Sequence, residues 1–498
     1  MFCFDSAMHR ISRCSGANIT GAVTSRVASL YLSILLACAA APVGAQQDQQ
    51  LQRKFEEAVH LYDANRLDEA ALRLEQLVRE YPRNFDVQEL LGMVYSSQGR
   101  DADAIAHLQS AVQLKPSSAA ARTNLATNLV RLHKLAPAEI EFKKALALDP
   151  SGYDTNHNLG EFYVAVGKVG ESLPFLEKAY HLKPAEYDNG YDLALAYVET
   201  GKFGNAERIV KALIPQKNTA ELHNLLGEIE EKSGNFVAAA HEYEEAAHMD
   251  PSESNLFDWG SEMLLHRTLD PAVQIFSEAT QRYPKSPRLA IGLGMAYYSR
   301  GNYDDAVKAL IKAADLDPSD ARCYYFLSKA YDSSPGQADD VIARFRRFAE
   351  LQPQNAHALY YYAMSLWKGR RAQDENVDFS QIESLLKKAV ELDPKFPEAH
   401  LQLGNLYSDQ KKYSDAAPQY ERALQENADL ADAHYRLGQA YVHLGKRDDA
   451  QQQLQVYQKL RAQHLADLDK QRAEIRQFVV SEKNKSESDS AGATHDAP

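Results

Sequence analysis

The chain has 498 residues, 45% of them hydrophobic and 25% charged, proportions that exclude an intrinsically disordered, collagen-like or polytopic membrane protein. Lys plus Arg number 55 against 69 for Asp plus Glu, a formal charge of −14. That sign argues against nucleic acid as the main partner, because a phosphate backbone needs a basic face.

The first segment, residues 1–45, reads as an address. Arg10, Arg13 and Arg26 precede an apolar run from Val27 to Ala41, too short to span a bilayer comfortably. The run ends in Val43-Gly44-Ala45, so the pattern predicts a secretory signal peptide cleaved after Ala45. A rival reading takes Leu35-Leu36-Ala37-Cys38 as a bacterial lipobox, with Cys38 carrying a membrane anchor. Cleavage removes three arginines and Asp5, which moves the formal charge from −14 to −16. It also removes Cys3, Cys14 and Cys38, so Cys323 stands alone and no intrachain disulfide is expected. The expected location is exported, periplasmic or secreted.

From there a period of about 34 residues governs the chain. Prolines stand at Pro82, Pro116, Pro150, Pro184, Pro251, Pro284, Pro318, Pro353 and Pro394. Ten residues after each mark comes a small residue: Ala58, Gly92, Ala126, Gly160, Ala194, Gly227, Ser261, Gly294, Ser328, Ala363, Gly404 and Gly438. A second small column follows about twelve residues later, from Ala70 to Ala450, and a third seven beyond it, from Ala111 to Ala423. Spacing of seven keeps both columns on one helical face. Two helices per period then meet at small residues, Gly99 and Gly301 among others turn the chain between them, and each proline ends the second helix.

The segments Asn156-His-Asn-Leu159-Gly160-Glu-Phe-Tyr163, His400-Leu-Gln-Leu403-Gly404-Asn-Leu-Tyr407 and His434-Tyr-Arg-Leu437-Gly438-Gln-Ala-Tyr441 carry the pattern best. The chain thus resembles the tetratricopeptide repeat family, with the Trp of its signature replaced throughout. Twelve units run from about Leu51 to Ala462. The resemblance implies an all-α, right-handed superhelical solenoid of antiparallel helix pairs over residues 46–463. A C-terminal capping helix is expected at 464–484, because the last unit needs a polar cover, and a disordered polar tail at 485–498. Two units are irregular. One has Ser333-Ser334-Pro335-Gly336 in its turn and Val341 in the small column; the other carries seven extra residues within Arg370 to Asp378, as a tolerated loop or a partner contact.

Chemistry is sparse. His241, Glu245 and His248 share a helix face but lack a fourth ligand nearby, which fits a solvated face better than a metal site. Gly292-Leu-Gly294 lacks the third glycine of a phosphate loop. Cys323 reads as a packing residue. No nucleophile elbow or phosphate-binding motif appears. No catalytic, metal or cofactor site is expected, and the chain reads as non-enzymatic.

In the family, the first helix of each pair lines the concave surface. Residues six and three before the small position, and one, four and five after it, face inward. Applied here, the resemblance implies an acidic groove of Asp154, Glu161, Asp188, Glu199, Glu221, Glu228, Glu231, Asp258 and Glu262, with Lys232 the one Lys or Arg among these places. Further along it implies an aromatic wall of Tyr298, Tyr325, Tyr360, Trp367 and Tyr435. The family's carboxylate clamp is absent, since Asn405 has Leu401 where a partner residue would stand. The expected function is a protein-interaction scaffold in the bacterial envelope, favoured as a monomer. Its ligand would be a peptide segment, basic at the acidic stretch. The alternatives are a glycan-binding accessory of envelope or exopolysaccharide export, using the aromatic wall, and a supporting subunit of a partner enzyme.

Overall fold

The computed structural model describes residues 43–334, 336–371, 379–463 and 465. Residues 1–42 of the expected leader, the extra residues 372–378, and the expected cap and tail apart from residue 465 lie outside the described residues. The chain divides into two compact units, Met1–Pro251 and Ser252–Pro498. Among the described residues there are 24 helices and no strand.

The first unit opens with α1 (Val43–Asp63), α2 (Leu67–Glu80), α3 (Phe85–Ser97) and α4 (Asp101–Leu114). It continues with α5 (Ala119–Arg131), α6 (Leu135–Leu148), α7 (Tyr153–Ala165) and α8 (Val169–Leu182). It closes with α9 (Tyr187–Glu199), α10 (Phe203–Leu213), α11 (Ala220–Lys232) and α12 (Phe236–Met249). The second unit begins with α13 (Glu253–Leu265), α14 (Leu269–Arg282), α15 (Pro287–Arg300) and α16 (Tyr303–Leu316). Next come α17 (Ala321–Ser333), α18 (Ala338–Leu351), α19 (Ala356–Arg371) and α20 (Ser380–Leu392). The last four are α21 (Pro397–Asp409), α22 (Tyr413–Glu426), α23 (Ala431–His443) and α24 (residues 447–463). Each odd-numbered helix pairs with the even one after it. Successive odd-numbered helices touch from α1 to α9, from α13 to α19, and at α21 with α23, so they share one face within each unit.

The small columns explain how closely the pairs approach. A Cβ added to Gly92 would lie 2.6 Å from Leu108 Cγ, and one on Gly294 would lie 2.5 Å from Leu310 Cγ. The partner stands sixteen residues on, and Gly160 with Leu176 and Gly404 with Tyr420 repeat the spacing. In the α13/α14 pair the glycine that meets its partner at this spacing is Gly260, whose added Cβ would sit 2.9 Å from Phe276 Cζ. Ser261 is only half-buried. This corrects the sequence expectation by one residue: Pro251 stands nine places before the small position, and Ala272 keeps the interval of twelve after it. The larger Val341 fills the small place on α18 and is fully buried.

Turns between paired helices need one residue at positive φ. Gly99 and Gly301 supply it without strain, whereas Asn65, His133, Arg267 and Lys411 hold the same conformation with side chains. The residue four before the small position stitches each pair to the preceding loop. Gln88, Asn156, Tyr324 and His400 each donate to the carbonyl of the proline six residues earlier. The other ring nitrogen of His400 lies 2.8 Å from Gln419 Oε1 on α22.

Neighbouring pairs are joined by tyrosines three places after the small column. The hydroxyls of Tyr95, Tyr197 and Tyr441 donate to Glu75, Glu177 and Glu421 at 2.6, 2.9 and 2.7 Å. Arg100 covers the Tyr95 ring at 4.0 Å, and burial with the Glu75 hydrogen bond pushes the Tyr95 phenol up to about 12. Tyr331 holds the same place, but Ile311 stands where the glutamate would be, and its hydroxyl is buried with no hydrogen-bond partner. Tyr95→Phe is therefore expected to cost about 1.5 kcal/mol in urea unfolding, since it removes a hydrogen bond to a charged group. Tyr331→Phe is expected to be neutral or slightly stabilising.

Candidate binding faces of the first helices

In the first unit the acidic residues gather on α7, α9 and α11. Asp154, Asp188 and Glu221 are exposed, each the second residue of its helix. The partial positive charge at a helix start stabilises an acid there, so these three have a local reason to be acidic. Glu161 and Glu228 lie mid-helix and half-buried, and Glu199 ends α9, where the same field disfavours it. Glu228 pairs with Lys232 at 2.9 Å, and Glu231 accepts the Tyr243 hydroxyl at 3.0 Å. Glu161 and Glu228 suit a helix interior, where Glu is a good helix former, and Glu228 has its i+4 partner. Glu199 alone of the three sits where the helix disfavours it.

Asp192 belongs to this group and was missed from sequence, since it lies two residues before Ala194, outside the five inward places. It is half-buried. Burial, with Glu161 and Asp188 nearby, pushes its carboxyl well above the usual carboxylate range. A raised folded-state value favours folding only while the group is protonated, and that contribution is lost as pH rises through the folded value. Asp192→Asn is therefore expected to raise the melting temperature at pH 7 and to leave it unchanged well below about pH 4, which melts across that range check.

Two acids assigned to this stretch lie in the second unit and follow the corrected register. With Gly260 as the small residue, Asp258 moves to the place that Asp192 holds, and its carboxylate lies 3.5 Å from the Arg288 guanidinium. Glu262 moves two places after the small column, where Val94, Phe162, Ile229 and Leu406 are core residues. It is 1% exposed, with His266 Nε2 at 3.3 Å, and does not line an open groove.

The aromatic residues of the second unit divide in the same way. Tyr325 is 48% exposed, its ring edge-on to Phe326 at 5.1 Å. Tyr298 is half-buried, with its ring 5.5 Å from Tyr303. Tyr360 packs on Phe396 at 5.0 Å, and Tyr435 on Tyr457 at 5.1 Å. Trp367, expected on the wall, is 4% exposed because it belongs to the hydrophobic core of the second unit, with Phe379 edge-on to its ring at 6.3 Å. Tyr325 alone of the five offers a largely open ring.

Among the described residues no group of three His, Cys, Asp or Glu is placed to hold a metal ion. His241 and His248 are exposed. Cys323 is buried, its Sγ 3.1 Å from the Asp320 carbonyl, and burial raises its thiol pKa. Among the described residues no helix is long and apolar enough to cross a membrane.

Models of the tetratricopeptide repeat match residues 55–119, 163–229, 265–330, 385–417 and 408–475, together more than half of the chain. No curated protein matches it. Among solved structures, Pseudomonas aeruginosa PilF is 22% identical over 41% of this chain and 94% of its own, with a TM-score of 0.36. The Naa15/Naa10 assembly bound to HypK-THB is 16% identical over 82% and 68%, with a TM-score of 0.34. Yeast Tom70 is 17% identical over 89% and 100%, with a TM-score of 0.33. Because models of the repeat match more than half of its residues, the chain belongs to the tetratricopeptide repeat family.

Proposed function

We propose that the protein is an exported, non-catalytic adaptor of the bacterial envelope that takes basic segments of a partner protein on the α7–α11 face. Tetratricopeptide repeats form protein-interaction scaffolds, and the further steps are our reading. The observation that carries it is the clustering of Asp154, Glu161, Asp188, Asp192, Glu199, Glu221, Glu228 and Glu231 on α7, α9 and α11. A surface with one sign of charge steers an oppositely charged segment and sets its register. Export rests on the leader pattern up to Ala45. The packing of Tyr360, Trp367 and Tyr435 on their own neighbours supports a peptide ligand over sugar stacking, which needs open ring faces.

A photo-crosslinking residue placed at Glu228 in the producing cell tests this reading. It should capture an envelope protein through a Lys/Arg-rich segment, and capture should fall when Glu161 is changed to Lys. Recovery of no protein adduct, or of adducts unchanged by Glu161→Lys, would sink it.

A further inference from the structure

The second helix of each pair packs its small column on the first helix, so the place two residues after that column lies on the opposite side. On four successive second helices of the first unit this place is exposed and apolar: Leu72 on α2, Ala106 on α4, Ile140 on α6 and Pro174 on α8. Leu72 is 61% exposed and Ile140 53%. The row ends at Arg208 on α10 and His241 on α12, both exposed. A surface helix ordinarily turns polar residues outward, so four departures in succession point to a role outside the fold.

The residues on either side of the row are ordered by charge. Three places before it stand Glu69, Asp103, Pro137 and Glu171, and four places after it Gln76, Ser110, Lys144 and Lys178. Spacings of three and four keep them all on the face of the apolar row. The acids have a local reason, since they fall in the first turns of their helices; the apolar row has none. Within the chain Glu69 pairs with Arg66, Asp103 with Arg100, and Lys144 with Glu141. Glu171 and Lys178, both exposed on α8, form no ion pair among the described residues.

We propose that this outer face of α2, α4, α6 and α8 is a homodimer surface, covered by the same face of a second copy. Two copies can meet there about a twofold axis that runs either along the helices or along the row. An axis along the helices sets Glu69 against the partner subunit's Glu171, acid against acid. An axis along the row crosses each helix with its own copy, antiparallel, at Leu72, Ala106, Ile140 and Pro174. Glu171 then faces the partner subunit's Lys178, twice over by symmetry, and no acid faces an acid. The face is thus complementary to itself in one orientation, and this selects a second copy as the occupant. The first helices stay uncovered, so the dimer presents two α7–α11 faces; that consequence alone rests on the adaptor reading.

Sedimentation velocity of the full chain from about 1 to about 100 μM tests the proposal. A monomer–dimer equilibrium is expected, and Ile140→Glu should weaken it by about tenfold, since it sets two carboxylates against each other on the axis. Glu171→Lys and Lys178→Glu should each weaken the dimer by about threefold. A mixture of these two single variants should form a heterodimer tighter than either homodimer, and the double variant should regain the original affinity. Val237→Glu, 88% exposed on α12 outside the row, should leave the dimer unchanged. All these positions are exposed, and unchanged melting temperatures show that folding is intact. A chain that stays monomeric throughout would overturn the proposal. So would a dimer indifferent to Ile140→Glu, or charge variants that fail to complement each other. Failure of a Lys-rich peptide on the α7–α11 face would leave this result standing, because the dimer is measured without a ligand.

Discussion

Gly260→Val should destabilise the second unit by about 3 kcal/mol, while Ser261→Val one residue on should change stability by less than about 1 kcal/mol. The reason is spatial. A Cβ on Gly260 would sit 2.9 Å from Phe276 Cζ, and Phe276 is itself fully buried, also against Gly292. Its ring has no room to retreat, so the added methyls must push α13 and α14 apart. Ser261 is half-buried and faces away from that contact. Urea unfolding of both variants checks the prediction, and a larger loss at Ser261 would restore the register that the proline spacing suggests. Phe276→Leu, which opens space at the ring, should lessen the cost of Gly260→Val, because residues in contact do not act additively.

Tyr324→Ala should cost about 3 to 5 kcal/mol, the range for removing a large buried ring. Tyr324 is fully buried and stacks on Phe348 at 4.0 Å with the rings nearly parallel. Its hydroxyl donates to the Pro318 carbonyl at 3.1 Å. Tyr324→Phe keeps the stack and loses that bond alone, so it should cost about 1 kcal/mol. A repeat array couples each pair mainly to its neighbours, so the damage should stay local. Hydrogen exchange should show protection lost around α16 to α19 and retained in α1 to α8. Uniform loss through both units would contradict nearest-neighbour coupling.

The fold was largely legible in the sequence because its signals are periodic and redundant. A proline, a small residue and two alanine columns recur in fixed order, so the double interval between Pro184 and Pro251 did not break the count. The slip at Gly260-Ser261 arose where two adjacent small residues both suited the column and Pro251 set the wrong interval. Ala272, twelve residues after Gly260, was the signal that could have decided it. The faces were less legible because inward places do not reveal what covers them. Trp367 holds such a place, yet Phe379, sixteen residues after Ala363 and beyond an insertion, packs edge-on to its ring. Glu262 was misplaced by the same slip that hid Gly260. Asp192 was missed because its place lies outside the five inward ones, although Glu161 of α7 and Asp188 of its own helix stand near it.

The central claim is that charge on the first helices of the first unit selects a basic partner segment. Its most direct test is the affinity of a labelled Lys-rich peptide for the full chain across a salt series. Binding should weaken by about tenfold as salt rises from about 50 to about 300 mM, as screened charge–charge attraction requires. Glu161→Lys with Glu228→Lys should abolish most of that binding at low salt, while Lys329→Glu, at an exposed position on α17 of the second unit, should leave it intact. Binding indifferent to salt, or retained in full after both charge reversals, would contradict it.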